Sequence, residues 1–129
     1  MNFSFDILLD QLAQSAVGIH SMIDEHFGIG IVECMSAGTV MIAHNSAGPK
    51  MDIVVPYKGE KTGFLAETEE EYCDNLYLIF NMSTKKRNSI RQAAREHVRK
   101  FSQEEFNSNF LESFINLCFK NYFSIKKNE

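Results

Sequence analysis

Residues Thr39 to Ala43, T-V-M-I-A, form an unbroken apolar run behind a glycine, Gly38, that ends a small-residue segment. A run rich in β-branched residues and without polar alternation has no solvent face. It fits a strand buried on both sides, as in a parallel sheet covered by helices. Gly38 is the expected stop of a helix over Ile29 to Ala37. Ala16 to His20 and Thr62 to Ala66 predict two more short strands. Phe5, Leu8, Leu9, Leu12 and Ala16 recur at helical spacing and predict an opening amphipathic helix. His44 to Pro49 reads as a turn, Lys50 to Val55 as a short helix before Pro56, and Tyr57 to Lys61 as a loop. Thr68-Glu69-Glu70-Glu71 matches a capping box and opens a helix through about Asn81. Ser83 caps a basic-faced helix ending near Phe101.

Ser102-Gln103-Glu104-Glu105 is a second capping box. It opens a terminal helix over 102–123 with the apolar stripe Phe106, Phe110, Phe114, Leu117 and Cys118, and 124–129 reads as a tail. The order α-β-α-β-(α)-β-α-α-α predicts an α/β fold, a partial Rossmann-like three-layer domain with a small parallel sheet, ending in three helices. A helix leading directly into the first of only three strands suggests further strands upstream. The expectation is one partial domain over 1–129, the second half of a larger one.

A chain of 129 residues has room for one core, burying roughly two thirds of its unfolded surface. Its 44% hydrophobic and 23% charged content belongs to ordinary globular proteins. A net charge of -4 argues against nucleic acid as a partner, since counterion release needs a concentrated basic surface. The basic cluster Lys85, Lys86, Arg87, Arg91, Arg95, Arg99 and Lys100 has near-helical spacing and reads as a solvated helix face. Contact with anionic lipid is the alternative. Cys34, Cys73 and Cys118 are odd in number and lack a C-x-x-C pair, so they support neither a disulfide framework nor a zinc site. Each reads as a small buried hydrophobe in a reducing compartment. The first residues lack a basic region and a long apolar run, so no signal peptide is expected. No stretch approaches the ~18 apolar residues of a membrane span.

The chemistry concentrates between Glu25 and Asp52. Gly28 and Gly30 let the backbone turn tightly and approach a ligand. The helix beginning near Ile29 presents unpaired amides and a partial positive charge, a site for phosphate. Glu33, one turn inside it, suits the vicinal hydroxyls of a ribose. Glu25, in the preceding loop, reaches the other end of the ligand, where a sugar's hydroxyls would lie. Two acids flanking diphosphate-binding amides fit a nucleotide-sugar better than a bare nucleotide. On spacing alone, solvated surface acids are the commoner reading of the two glutamates. The flanking F-G-I-G, C-M-S-A-G and S-A-G-P favour the site.

His20, His26, His44 and His97 do not make a metal-ligand set, so no metal site is expected. His97 reads as a helix-surface residue and His20 as a satisfied core histidine; His26 and His44 lie in the site loops. Lys50 and Asp52 are expected to bond across their own turn.

The string E-H-F-G-I-G-I-V-E-C-M-S-A-G resembles the E-x7-E motif of retaining glycosyltransferases with the two-domain GT-B fold, in family four. The longer strings H-N-S-A-G-P-K-M-D-I-V, T-G-F-L-A and A-R-E-H-V-R-K-F-S are similar to those of its GDP-mannose-dependent α-1,2-mannosyltransferases acting on dolichol-pyrophosphate-linked oligosaccharide. The likeness runs from about Phe5 to Phe114. It implies the C-terminal half of a GT-B enzyme, with Glu25 contacting the transferred sugar at the reacting centre and Glu33 binding the ribose. Phe27, Gly28 and Ile29 then match the turn whose amides meet sugar and diphosphate, flanked by His26 and Gly30. His44, Asn45, Ser46 and Gly48 match the loop behind it. Ala47 stands where a second glycine is usual, a departure that would stiffen the turn.

The resemblance further implies a GDP-mannose donor, no obligatory metal or other cofactor, and a lipid-linked oligosaccharide acceptor. It implies work at the cytosolic face of the endoplasmic reticulum membrane, or in the cytosol for a chain without a span. The family's acceptor domain and its leaving-group Arg/Lys pair have no counterpart in this sequence. The chain alone is therefore expected to be inactive, or to be a short isoform that binds another glycosyltransferase chain.

Overall fold

The computed structural model describes residues 4–126, without the side chains of Phe5, Leu9 and residues 117–126. The expected burial of Leu117 and Cys118 lies outside the described side chains. Of the tail expected over 124–129, residues 124–126 continue the last helix instead, and 127–129 lie outside the described residues. Two compact units divide at Val98 and Arg99.

The first unit opens with α1 (Phe5–Gln14), capped by the Ser4 side chain on the Ile7 amide. It continues through β1 (Val17–His20), α2 (Ile29–Ala37) and β2 (Val40–His44). A π-helical turn, Pro49–Ile53, leads to β3 (Phe64–Ala66), α3 (Glu69–Asn81) and α4 (Thr84–Val98). The three strands form one parallel sheet in the order β1-β2-β3. This is the expected α/β architecture. Val17 pairs with Val40 and His20 with Ala43; Ile42 pairs with Phe64 and His44 with Ala66.

β2 is central, and Val40, Met41, Ile42 and Ala43 are all buried, as the apolar run predicts. Val40 and Ile42 share a core with Phe64, Ala66, Ile79 and Ile90, flanked by Val17, Tyr72, Leu76 and Met82. Met41 and Ala43 point the other way by the strand's period of two, so both faces of β2 are covered. α2 packs on β2 and α4 through buried Ile31, Val32 and Met35.

Local signals hold where the chemistry is local. Gly38 ends α2 at φ 93°, its amide bonding the Met35 carbonyl at 3.0 Å. Thr68 and Glu71 make the reciprocal capping box. Ser83 accepts from the Lys86 amide at 3.3 Å. The expected helix after Pro49 is a five-residue π-turn, closed by the Val54 amide on the Pro49 carbonyl at 2.8 Å. β3 is shorter than the Thr62 to Ala66 expectation, and ahead of it the Thr62 hydroxyl donates to the Val55 carbonyl at 2.8 Å.

Three readings are corrected here. Cys73 is exposed on α3 and not a buried hydrophobe, while Cys34 is half-buried. His97 is buried, not on a helix surface: its Nε2 lies 3.1 Å from the Asp52 carbonyl oxygen and its ring tilts against Tyr57. The basic face of α4 is also not simply solvated. Arg95 donates from Nε to the Ser36 carbonyl at 3.2 Å and from Nη2 to the Ala37 carbonyl at 2.7 Å, neutralising the C-terminal end of α2. Arg91 reaches the Ala16 carbonyl at 3.5 Å, and Lys86 pairs with Glu60 at 2.7 Å.

The second unit is a 3-10 turn, Arg99–Phe101, followed by α5 (Gln103–Lys126), capped by Ser102 on the Glu105 amide at 3.2 Å. Phe106, Phe110 and Phe114 stack at centroid spacings of 6.0 and 6.2 Å and are exposed. Among the described residues, no helix is long and apolar enough to cross a membrane.

Candidate functional site

In a parallel sheet the loops after the strands gather at one end, the usual place for a ligand in α/β folds. Three such loops converge here. The loop after β1 carries Asp24 to Gly28, the loop after β2 carries Asn45 to Gly48, and Glu67 follows β3.

Side chains and amides hold these loops together. The Asp24 amide donates to Ser46 Oγ at 2.9 Å, and Ser46 Oγ lies 2.9 Å from His44 Nδ1. Ser46 can accept from Asp24 and donate to the ring, so one hydroxyl joins both loops. The Gly48 amide donates to the Glu25 carbonyl at 3.0 Å. A Cβ on Gly48 would meet the His26 carbonyl carbon at 2.8 Å and Phe27 Cα at 2.9 Å, so only glycine fits that approach. The Asn45 amide donates to the Ala66 carbonyl at 3.0 Å, and its Nδ2 to Glu67 Oε1 at 2.7 Å, which draws in the third loop.

Gly28 is the N-cap of α2, at φ 90°, with no side-chain cap. The Ile31 and Val32 amides donate to the Gly28 carbonyl at 3.0 and 3.4 Å. The amides of Ile29 and Gly30, ahead of that bond, have no carbonyl of their own helix to bond. A Cβ on Gly30 would meet nothing within 4 Å among the described residues, so their packing does not require glycine there. Helix amides without a carbonyl of their own helix are the groups that an anion site uses. Glu33 is exposed one turn below Ile29 on the same face, while Ile31, Val32 and Met35 turn inward. Next to Glu33, Cys34 is half-buried; burial, and secondarily the Glu33 charge, raise its thiol above the ordinary value.

Glu25 is half-buried in its loop, and its Oε2 lies 3.9 Å from His20 Nε2. His26, Phe27 and Ile29 are exposed around the turn. The structure thus brings the expected residues of both loops to one end of the sheet, with Glu25 in the loop before the α2 N-terminus and Glu33 one turn inside the helix. His20 corrects the satisfied-core reading: its Nδ1 is buried without a partner among the described residues. Sequence reasoning missed Asp24 and Glu67, whose roles depend on which loop they meet. A glutamate directly after a predicted strand end was the available signal for Glu67. Among the described residues, no three His, Cys, Asp or Glu side chains gather as a metal site would.

A groove of about 610 Å³ opens at the opposite end of the sheet, lined by Ser15, Ala16, Gly38, Arg91 and Arg95 among others. Arg95 is committed there to the α2 carbonyls. The loops after the strands are the better candidate.

A family model described as "Glycosyl transferases group 1" matches residues 6–97, which include both loops and the whole of α2. The chain is 53% identical over 113 residues to a Homo sapiens protein named GDP-Man:Man(3)GlcNAc(2)-PP-Dol alpha-1,2-mannosyltransferase; the match covers 88% of this chain and 23% of that one. The protein of the same name from Mus musculus is 52% identical, covering 86% of this chain and 23% of its own length. That from Caenorhabditis elegans is 37% identical, covering 85% and 23%. The chain therefore spans a little under a quarter of the length of these relatives.

Proposed function

Because the chain belongs to the group 1 glycosyl transferases, we propose that it carries the nucleotide-sugar site of an α-1,2-mannosyltransferase that uses GDP-mannose. The observation that carries this reading is the α2 N-terminus, where the Ile29 and Gly30 amides lack a carbonyl of their own helix, with Glu25 in the loop before it and Glu33 one turn inside it. The amides and the α2 dipole receive the diphosphate. Glu33 takes the ribose hydroxyls, and Glu25 orients the mannosyl group at the reacting carbon. Phe27 and Ile29 cover the turn, and the His44, Asn45, Ser46 and Gly48 loop holds Glu25 in place. His26 lies at the rim.

The reaction to which this site would contribute is transfer of mannose with retention, by attack on the same face from which GDP departs. Stabilising charge on the departing diphosphate is where such a site contributes most, and no metal is given a part. The acceptor is proposed to be a dolichol-pyrophosphate-linked oligosaccharide, in keeping with the relatives' names. It would be met at the cytosolic face of the endoplasmic reticulum membrane through residues outside this chain, and transfer by this chain alone is not expected.

Calorimetric titration with GDP-mannose, GDP and UDP-glucose tests the reading. Saturable GDP-mannose binding that Glu33→Ala abolishes supports it. A folded chain that binds none of the three rejects it.

A second reading, a module that docks on another glycosyltransferase chain, is favoured by one observation. β1 is an edge strand whose Ile19 is 54% exposed, and such edges invite strand addition. Light scattering with and without a full-length relative separates the two readings.

A further inference from the structure

His20 ends β1 at the mouth of the site, and its imidazole has an unmet need. Nδ1 is buried with no partner among the described residues. The residue's carbonyl accepts from the Tyr72 hydroxyl at 3.2 Å, which fixes the backbone behind the ring. A hydrogen on Nδ1 would be a buried donor without an acceptor, rarer in native proteins than an under-used acceptor. The ring hydrogen therefore belongs on Nε2.

Nε2 stands 3.9 Å from Glu25 Oε2, beyond a direct hydrogen bond, and the two side chains keep 25% and 27% of their surface exposed. A donor and an acceptor at that separation can share one hydroxyl. An oxygen about 2.8 Å from each would accept from Nε2–H and give its own hydrogen to the carboxylate.

We infer that His20 and Glu25 together hold one hydroxyl of the donor's sugar, which makes His20 a sugar-binding residue. This rests on the donor-site reading above and adds to it: Glu25 does not meet the sugar alone, and the pair selects for a hydroxyl at one position. A sugar with no hydroxyl there would leave the two polar groups unbridged, the circumstance in which polar sites discriminate most strongly.

The test is calorimetric titration of the full chain and of His20→Leu and His20→Gln, with circular dichroism as the folding control. The ligands are GDP, GDP-mannose and GDP-deoxymannoses that each lack one hydroxyl. GDP affinity is expected to be the same in all three proteins. GDP-mannose affinity is expected to fall about tenfold in His20→Leu and to recover largely in His20→Gln, whose side-chain amide reaches the place of Nε2. One deoxy ligand alone should bind the unchanged protein as weakly as GDP-mannose binds His20→Leu, and should lose nothing further on that substitution. Equal GDP-mannose affinity in His20→Leu overturns the inference, as does an equal loss on every deoxy ligand. If the unchanged protein binds neither GDP nor GDP-mannose, the donor-site reading has failed and this inference falls with it.

Discussion

The amide of Gly48 donates to the carbonyl of Glu25 at 3.0 Å, and no atom larger than hydrogen fits between the Gly48 Cα and the backbone of His26 and Phe27. One glycine on the β2 loop thus fixes the path of the β1 loop that carries the first acid. Gly48→Ala forces backbone against backbone. It should cost about 1–3 kcal/mol, as overpacking does, and weaken GDP-mannose binding at least tenfold. Urea unfolding and calorimetry measure the two effects.

Gly30 presents the opposite case. A methyl there meets no atom of the described residues within 4 Å, so Gly30→Ala should leave stability within about 1 kcal/mol of the parent. It should nonetheless reduce GDP affinity tenfold or more, because the methyl stands where the diphosphate approaches. Unchanged GDP affinity would move the diphosphate away from this turn.

Ala47 sits at φ 38°, in the left-handed region that costs an L-residue about 1–2 kcal/mol. Ala47→Gly should relieve part of that strain and raise the urea midpoint by the equivalent of about 0.5–1 kcal/mol, after the greater freedom of glycine in the unfolded chain. A lowered midpoint would mean that the alanine methyl makes packing contacts worth more than the strain.

Arg95 bonds the Ser36 and Ala37 carbonyls, and its Cζ would lie 2.7 Å from a Cβ on Gly38. Arg95→Ala should destabilise the protein by about 1 kcal/mol. Gly38→Ala should cost more, since it strains a φ of 93° and displaces the guanidinium together. Neither change should alter donor affinity, because both lie at the far end of the sheet.

Burial first, and the Glu33 charge second, hold the Cys34 thiol above its ordinary value. A thiol raised in the folded state stabilises the protein at pH below the unfolded value, and that contribution is lost as pH climbs through the folded value. Stability should therefore fall above about pH 8.5, and less so in Cys34→Ala. Glu33→Gln removes the second cause, so at pH 8 the Cys34 peptide should alkylate faster in that variant, as mass spectrometry can follow. An unchanged rate would mean that the carboxylate does not act on the thiol.

What was legible in the sequence was local. Gly38, the Thr68 and Glu71 box, Ser83 and the apolar run of β2 each act within a few residues, and their elements form as expected. The motif residues also fall at one end of the sheet, because strand order and short loops leave them nowhere else. What was not legible depends on distant partners. His97 is buried because a carbonyl 45 positions away accepts its ring. Arg95 leaves the solvated face because α2 ends beside α4 without a cation of its own. The Asn45 contact with Glu67 spans 22 positions and carries no periodic signal.

The central claim is that the diphosphate lies on the Ile29 and Gly30 amides, and amide-resolved nuclear magnetic resonance of the labelled chain titrated with GDP tests it most directly. The account predicts saturable shifts concentrated at Phe27 to Gly30 and in the Asn45 to Gly48 loop, with Ala16, Gly38, Arg91 and Arg95 unmoved. Shifts centred on those last four, or none in a folded chain, would contradict it.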